Sequence, residues 1–255
     1  MILNLLINIF IFLFGLCIGS FLNCMVYRVE EEKSINGRSF CPHCKHILSW
    51  QDLFPLLSFL FLRGKCRYCH KKISIQYPLV ELATGILFLL IFNPQNILQS
   101  IFYLIVSIFL IIIFIYDLKH YLIPEVALFP AIIITIIYNL IPPYNGQYLL
   151  STILATLIAS GVFFLIFWIS KEKAMGFGDV ELVFLMGILL GFPNVLVALF
   201  LAFFFGAIIG LMLMLGQNKS LKSAIPFGPF LIAGTFIAML HGNQIISWYL
   251  NFFII

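Results

Sequence analysis

Charged side chains are scarce in this sequence. Only 9% of its 255 residues are Asp, Glu, Lys or Arg, whereas 63% are hydrophobic, and the mean hydropathy is +1.13. A soluble domain carries roughly 25% charged residues, so the composition excludes a protein covered by water and indicates an integral membrane protein. The formal net charge of +4 is too small to indicate a nucleic-acid partner.

The first 27 residues contain no charged side chain, and the first cation is Arg28. A secretory signal peptide carries basic residues before its apolar core rather than after it. We therefore expect residues 1–27 to form a retained membrane helix. Because cationic side chains mark the cytoplasmic side of membrane segments, we expect its N-terminus outside and its C-terminal end in the cytoplasm.

Several catalytic signatures are also missing. The sequence shows no Ser/His/Asp arrangement, no glycine-rich phosphate loop and no His-rich metal motif. These absences argue against a serine hydrolase, a nucleotide-dependent enzyme and a metallohydrolase. Any chemistry must come from the few carboxylates and cysteines that the chain does contain.

Eight apolar segments approach the roughly 20 residues needed to cross the hydrocarbon core. They are 5–27, 78–92, 97–116, 126–141, 148–169, 180–191, 195–215 and 227–240, and the tail after His241 is too short and mixed to assign. All 14 Lys and Arg residues, Lys219 and Lys222 included, fall in the loops after the first, third, fifth and seventh segments. This segregation predicts an all-α polytopic membrane protein of about eight transmembrane helices, with those four loops in the cytoplasm.

The predicted organisation has three parts: a first helix over 1–27, a cytoplasmic loop over 28–77 and a membrane core over 78–255.

The loop contains two C-x2-C pairs that together offer four thiolates, Cys41, Cys44, Cys66 and Cys69. Two such pairs are typical of a closed structural zinc site. Because disulfides do not persist in the cytoplasm, zinc is favoured over cystine, and ligation would supply folding energy to a loop with little core of its own. Three histidines in the loop, His43, His46 and His70, are interpreted as solvated residues rather than ligands.

Two aspartates follow or precede apolar segments at the predicted cytoplasmic face. Asp117 stands directly after the third segment, and Asp179 ends the sequence Gly176-Phe177-Gly178-Asp179 before the sixth. Either one alone could be a snorkelling or capping residue. Together they form a candidate catalytic pair, because two close carboxylates share one proton and can act as base and acid on a water molecule. Gly176 and Gly178 would remove side-chain bulk and let an extended substrate backbone approach.

Two further charged positions receive simpler interpretations. Glu81 lies a few residues into the second segment and is interpreted as an interfacial or helix-pairing residue. Arg28, with the acidic run that follows it, is interpreted as a solvated helix exit.

With these residues assembled, the sequence resembles the bacterial type IV prepilin peptidases, the leader peptidase/N-methyltransferase family of Gly-x-Gly-Asp aspartyl proteases. The resemblance covers nearly the whole chain, and its ordered motifs are more specific than Gly-x-Gly-Asp alone. They are Gly19-Ser20-Phe21-Leu22-Asn23 with Tyr27-Arg28, both cysteine pairs with Arg63-Gly64-Lys65, Tyr77-Pro78-Leu79-Val80-Glu81-Leu82, Asp117 with Ile123-Pro124, Met175 to Asp179, and Pro226-Phe227-Gly228-Pro229.

The resemblance implies that Asp117 and Asp179 are the catalytic pair. It implies cleavage of the basic leaders of prepilins and pseudopilins after a glycine, at the cytoplasmic face of the bacterial inner membrane, in pilus or type II secretion systems. It also implies methylation of the new N-terminal residue with S-adenosylmethionine, although no residues for the methyl donor can be named. Two positions depart from the family: Glu125 stands where aspartate is common, and Glu181 stands where a lysine often follows the motif.

Three alternatives remain open from the residues themselves. A transporter could use Asp117 and Asp179 as a proton relay, but it would need carboxylates along a path across the bilayer rather than at one face. A presenilin-type or archaeal-type Gly-x-Gly-Asp protease would act on other substrates, and the double cysteine pair argues against it. A zinc-organised scaffold without catalysis would leave the paired aspartates unexplained.

Overall fold

The computed structural model describes residues 2–31, 33–34, 36–141, 146–173, 175–217 and 225–253. Across these residues the regular structure is helical, and extended pairing is limited to isolated bridges. The predicted all-α class is confirmed. In chain order the elements are α1 (Ile2–Glu30), a 3-10 helix (Trp50–Leu53), α2 (Leu57–Phe61), α3 (Gln76–Ile91), α4 (Ile97–His120), α5 (Glu125–Leu140), α6 (Gly146–Ser170), α7 (Phe177–Leu190), α8 (Asn194–Gln217) and α9 (Gly228–Phe253).

Eight apolar helices within the described ranges, α1 and α3 to α9, match the predicted segments in order. Five helices, α1, α4, α6, α8 and α9, are long and apolar enough to cross a membrane. The others are shorter: α3 and α5 have 16 residues each and α7 has 14. At 1.5 Å per residue α7 spans only about 21 Å. The chain is a multi-pass membrane protein.

The last helix is longer than its apolar sequence predicts. α9 continues to Phe253, past Leu240 where the predicted eighth segment ends. The polar residues that follow contain no proline, and His241 Nδ1 lies 2.8 Å from Gln244 Oε1 on the helix surface. The apolar sequence therefore ends at Leu240, whereas the helix continues to Phe253. Residues 142–145 and the cations Lys219 and Lys222 lie outside the described residues.

The chain forms two compact units, Met1–Ile111 and Ile112–Ile255. In the first unit α1 packs along α3. A Cβ at Gly15 or Gly19 would lie 2.8 Å from an α3 Cα atom, that of Gly85 or Glu81 respectively. Small residues four positions apart let membrane helices approach closely, so this pair sets where the two helices touch.

In the second unit α7 is the core helix, and it packs against α5, α6, α8 and α9. Most of its side chains from Val180 to Leu190 are buried. A Cβ at Gly187 would lie 2.6 Å from Thr156 Cα in α6, and Asn139 Nδ2 in α5 donates to the Ile188 carbonyl at 2.8 Å. Because α7 is enclosed by other helices, its first turn is held in place from several sides.

Candidate functional site

Asp117 lies in the last turn of α4 and is only 4% exposed. The helix ends at His120 because Tyr121 adopts a positive φ of 58°. The Tyr121 N–H still donates to the Asp117 backbone carbonyl at 2.9 Å. Asp117 therefore stands at the end of a long apolar helix, as predicted, with its carboxylate shielded from solvent.

The start of α9 supplies a hydrogen bond to this carboxylate. Gly228 is the first residue of α9, and its N–H donates to the Asp117 side chain. The first N–H groups of a helix have no partner within the helix, so this donor is available. A Cβ at Gly228 would overlap Asp117 Oδ2, which means that only glycine allows this approach.

An aromatic cluster supports the start of α9. Its rings belong to Phe163, Phe203, Phe227 and Phe230, and neighbouring ring centroids lie 5.1 to 6.5 Å apart. These residues come from α6, α8 and the start of α9. Such packing fixes the backbone next to Gly228 and hence the position of its N–H group.

Asp179 is held in a similar way by the start of α7. Gly176 is the N-cap residue of this helix and Asp179 is the third residue after it. The Asp179 carboxylate accepts a hydrogen bond from the Gly176 N–H, which is the backward-reaching half of a capping box. A carboxylate in the first turn also interacts favourably with the helix dipole.

The two glycines of the motif have different surroundings. A Cβ at Gly178 would lie 3.1 Å from the Ile123 side chain, which follows α4 in the chain. Gly178 therefore allows the segment after Asp117 to pack on the segment that carries Asp179. Gly176 has no atom within 4 Å of an added Cβ and is exposed. The open space expected beside the motif is found at Gly176, whereas Ile123 fills the space beside Gly178.

The side chains of Asp117 and Asp179 are close enough to interact electrostatically. Glu125 and Glu181, the two positions that depart from the family pattern, also interact with each other. Asp117 and Asp179 are therefore neighbouring buried and half-buried carboxylates, and such a pair can act as acid and base.

The four cysteines of the loop also come together. Their Sγ atoms all lie within 4.8 Å of one another, and Cys41 Sγ lies 3.9 Å from Cys69 Sγ. A tetrahedral zinc site with Zn–S bonds of about 2.3 Å places its sulfurs about 3.8 Å apart. The predicted ligands therefore fit a zinc ion, and none of the loop histidines joins the cluster in the described part of the chain.

The backbone around each cysteine pair has the same arrangement of a hydrogen bond, a bridge and a positive φ, and we call this arrangement the frame. Cys41 N–H donates to the carbonyl five residues later at 2.9 Å, and Cys66 N–H does the same. The bridges Phe40↔Ile47 and Lys65↔Lys72 occupy equivalent places. The fourth residue after each first cysteine has a positive φ, 58° at Lys45 and 57° at His70. The loop is thus a structural repeat with an offset of 25 residues, which the sequence analysis missed although Arg38 and Arg63 also keep this spacing.

The backbone around Cys41 also favours its thiolate form. Burial opposes ionisation of Cys41, but N–H groups of Cys44 and His43 donate to its sulfur and lower its pKa to about 7. Thiolate is the form that binds a metal ion.

Asp52 ties the 3-10 helix between the two cysteine pairs to the second pair. Its carboxylate accepts from Ser49 Oγ at 2.8 Å on one side, and from Arg67 Nε at 2.7 Å and Tyr68 Oη at 3.2 Å on the other. Burial opposes ionisation, but these hydrogen bonds outweigh it, so the pKa of Asp52 is lowered. The sequence offered no signal for this role, because Asp52 belongs to no metal or catalytic pattern.

Two charged residues of the first unit have structural partners. Glu81 is 8% exposed, and its Oε2 accepts from the Leu56 N–H at 2.8 Å, in line with a helix-pairing or interfacial residue. The interpretation of Arg28 as a solvated helix exit is wrong. Arg28 is 5% exposed and donates from Nη2 to the carbonyls of Gly37 and Arg38, because the loop folds back over the end of α1.

Two family models match this chain. The bacterial peptidase A24 N-terminal domain matches residues 13–94, and the type IV leader peptidase family matches residues 104–211. The first match contains the four cysteines, and the second contains Asp117 and Asp179. No solved structure matches the chain.

Curated relatives extend the match over most of the chain. The prepilin leader peptidase/N-methyltransferase of Aeromonas salmonicida (strain A449) is 30% identical, over 94% of this chain and 93% of its own length. The protein of the same name from Legionella pneumophila is 32% identical over the same shares, and that from Bacillus subtilis (strain 168) is 33% identical over 94% and 97%. This chain therefore belongs to the type IV leader peptidase family.

Proposed function

We propose that this chain is a membrane aspartyl endopeptidase that removes the leader peptides of type IV prepilins and pseudopilins. The observation that carries the proposal is that the Asp117 and Asp179 carboxylates lie near enough to interact electrostatically. Membership of the type IV leader peptidase family supports the choice of substrate. Cleavage after a glycine is the part that rests on the family resemblance alone.

In the proposed reaction one carboxylate is ionised and its neighbour is protonated. The ionised group takes a proton from water while the water oxygen attacks the peptide carbonyl carbon, and the protonated group gives its proton to the carbonyl oxygen. When the carbonyl re-forms, its hydroxyl proton returns to the second carboxylate. The carbon–nitrogen bond breaks, and the leaving amine receives the proton that came from water. Because Asp117 and Asp179 each accept one backbone N–H, either can serve as the base.

The surroundings of the pair suit an extended, basic leader. The exposed backbone at Gly176 has open space beside it, so a peptide strand can approach Asp179 there. Glu125 and Glu181 lie on the segments that carry the pair and add negative charge. A glutamate at position 181 instead of the family's lysine therefore favours positively charged residues of a leader by electrostatic attraction.

We further propose that the site faces the cytoplasm. Asp117 ends α4 and Asp179 begins α7, with two apolar helices between them, so an even number of crossings returns the chain to the same face. Lys119 follows the first aspartate, and Lys171 and Lys173 precede the second. Cationic residues next to both aspartates support the cytoplasmic assignment.

Two accessory groups belong to the proposal. Cys41, Cys44, Cys66 and Cys69 would hold one structural zinc ion in the first unit. S-adenosylmethionine would supply a methyl group to the amine that cleavage releases, because the relatives from Aeromonas salmonicida and Legionella pneumophila are N-methyltransferases by name.

The decisive experiment incubates purified protein with a prepilin in detergent, with and without S-adenosylmethionine, and follows the products by mass. The proposal expects loss of the leader in both cases and one added methyl group only when the donor is present. Asp117→Asn and Asp179→Asn should each reduce cleavage by at least 10²–10⁴-fold, because asparagine has nearly the same size but exchanges no proton. Methylation of a pre-cleaved pilin should persist in both variants.

A matched control is Glu172→Gln, which removes an exposed carboxylate from the loop before α7. This variant should cleave at the wild-type rate. Substantial cleavage by either asparagine variant would refute the catalytic pair and return these aspartates to an anchoring role at the membrane surface.

A further inference from the structure

The segment 50–61 exposes large apolar side chains although it belongs to a polar loop. Trp50 is 69% exposed, Phe54 49%, Leu57 51% and Phe61 83%. They recur every three or four residues, across the 3-10 helix and α2, and the Trp50 and Phe54 rings pack together with centroids 5.7 Å apart. Exposed apolar clusters of this kind mark contact with a membrane or another macromolecule.

A partly buried hydrogen bond shows where along α3 this segment is held. The Leu56 N–H donates to Glu81 Oε2 at 2.8 Å, and Glu81 is the sixth residue of α3. On α1, Gly19 packs directly against Glu81. Gly19 precedes Arg28, the first charge of the chain, by nine residues, or about 13 Å along a helix. Leu56 is therefore tied to α3 at a level well inside the uncharged part of α1.

The backbone conformation of Leu56 is unusual, and it accompanies the hydrogen bond to Glu81. Leu56 has φ 59° and ψ −48°, a conformation that a branched non-glycine residue rarely adopts. The hydrogen bond to Glu81 holds the chain in this turn. A loop that simply projected into water would need neither the turn nor a carboxylate buried among apolar helices.

We propose that residues 50–61 form a membrane-interface anchor, with Trp50, Phe54, Leu57 and Phe61 inserted among the lipid headgroups and upper acyl chains. The apolar face continues onto α3, where Leu79 and Leu82 are also exposed. Tryptophan and other amphipathic rings are enriched at this depth. The proposal needs only that α1 and α3 lie in a membrane, and it is independent of the proposed peptidase activity.

The charges that follow the anchor favour lipid over a protein partner. Five exposed cations come after Phe61 within a short stretch, namely Arg63, Lys65, Arg67, Lys71 and Lys72. Within the described residues, only Arg67 among them pairs with a carboxylate, that of Asp52. Cations beside an inserted apolar segment are attracted to anionic headgroups at the membrane surface. An apolar patch built for a protein partner would not require the hydrogen bond that holds it at the depth of α3.

The test uses the natural tryptophan of the anchor as a depth probe. The chain has three tryptophans, and Trp168→Phe with Trp248→Phe leaves Trp50 alone. The protein is placed in nanodiscs of phosphatidylcholine and phosphatidylglycerol whose acyl chains carry bromine near the headgroup. The anchor predicts that Trp50 loses most of its fluorescence to brominated lipid and little to iodide added in the water.

A matched protein has Trp50→Phe and Trp248→Phe, which leaves Trp168, an exposed residue of the apolar helix α6. Its quenching by brominated lipid confirms that the nanodisc assay reports lipid contact. Strong quenching of Trp50 by iodide without quenching by lipid would overturn the anchor, because the segment would face water. Protection of Trp50 from both quenchers would also overturn it, because protein would then cover the patch.

Discussion

At the scale of single residues, two glycine N–H groups determine where the aspartates stand. Gly228 donates to Asp117, and Gly176 donates to Asp179. Both glycines lie at helix starts, where N–H groups lack partners within the helix. The proposed pair is therefore positioned by backbone groups of α7 and α9.

Gly228→Ala is expected to damage catalysis without unfolding the protein. The added methyl group would overlap Asp117 Oδ2 and displace the carboxylate, and a displacement of about 1 Å can lower a rate by about 10²-fold. The measurement is the single-turnover rate of leader cleavage. Gly161→Ala is the matched control, since a Cβ there meets nothing within 4 Å. Equal rates for the two variants would show that the Gly228 contact does not position Asp117.

Asp52→Asn is expected to speed zinc release from the cysteine loop to a chelator by several-fold, because it weakens the link between Ser49 and Arg67. The lowered pKa sets the pH dependence. The stabilising charge is fully present above the ordinary value of 3.8, and it is lost only as pH falls through the lower folded pKa. The difference between variant and wild type should thus stay constant from about pH 6 to 8. A difference that shrinks within this range would contradict the assignment.

The sequence could supply the candidate residues for the chemistry but not all of their neighbours. Asp117, Asp179 and the four cysteines stand out because carboxylates and thiols are rare in an apolar chain. The Gly228 N–H could not be found in this way, since it is a backbone group 111 positions after Asp117. Pro226-Phe227-Gly228-Pro229 offered a motif without a stated role. The packing of Ile123 on Gly178 likewise depends on a tertiary contact.

At the scale of elements, the two cysteine pairs form one unit because each frame supplies two ligands. Cys41 and Cys66 are 5% exposed, whereas Cys44 is exposed. The interior cysteines are held by backbone hydrogen bonds of the frame. The metal would therefore complete a loop whose two halves are already shaped to receive it.

Cys66→Ser is expected to remove the metal and loosen the loop. Three thiolates and a hydroxyl bind zinc less tightly than four thiolates, and ligation supplies folding energy to such loops. Elemental analysis of purified protein should fall from one zinc per chain to well below one. Cys17→Ser, which changes a cysteine of α1 outside the cluster, should keep the metal. Wild-type protein that contains no zinc and keeps full activity would contradict the structural-zinc proposal.

Apolar length predicted the helices well, because hydropathy directly reports transfer into the bilayer. It failed at the ends, as in α9, where polar residues continue the helix. It also did not reveal that α7 is a short core helix enclosed by four others. Enclosure depends on tertiary packing, which hydropathy alone does not report.

At the scale of the whole molecule, charge is distributed according to topology. Lys119, Lys171 and Lys173 all lie at the ends of helices beside the aspartates, whereas the turn 93–96 between α3 and α4 carries no charge. The proposed orientation places the first group in the cytoplasm and the turn outside.

Labelling with a membrane-impermeant thiol reagent tests this orientation. In a Cys17→Ser, Cys24→Ser background, Gln95→Cys should react in intact cells, because residue 95 is exposed in the outer turn. Lys173→Cys should react only after the membrane is permeabilised. The parent protein keeps the four cysteines of the loop, so its labelling measures the background signal. The reverse pattern would invert the topology and place the proposed catalytic pair outside.

The 25-residue repeat of the cysteine loop has a consequence for how metal affinity depends on protein concentration. A single frame provides two thiolates, so a chain with one frame would need a second molecule to complete a tetrahedron. Tandem frames on one chain make that meeting intramolecular, with a local concentration set by the connecting segment. Zinc affinity should therefore be the same in dilute and concentrated protein.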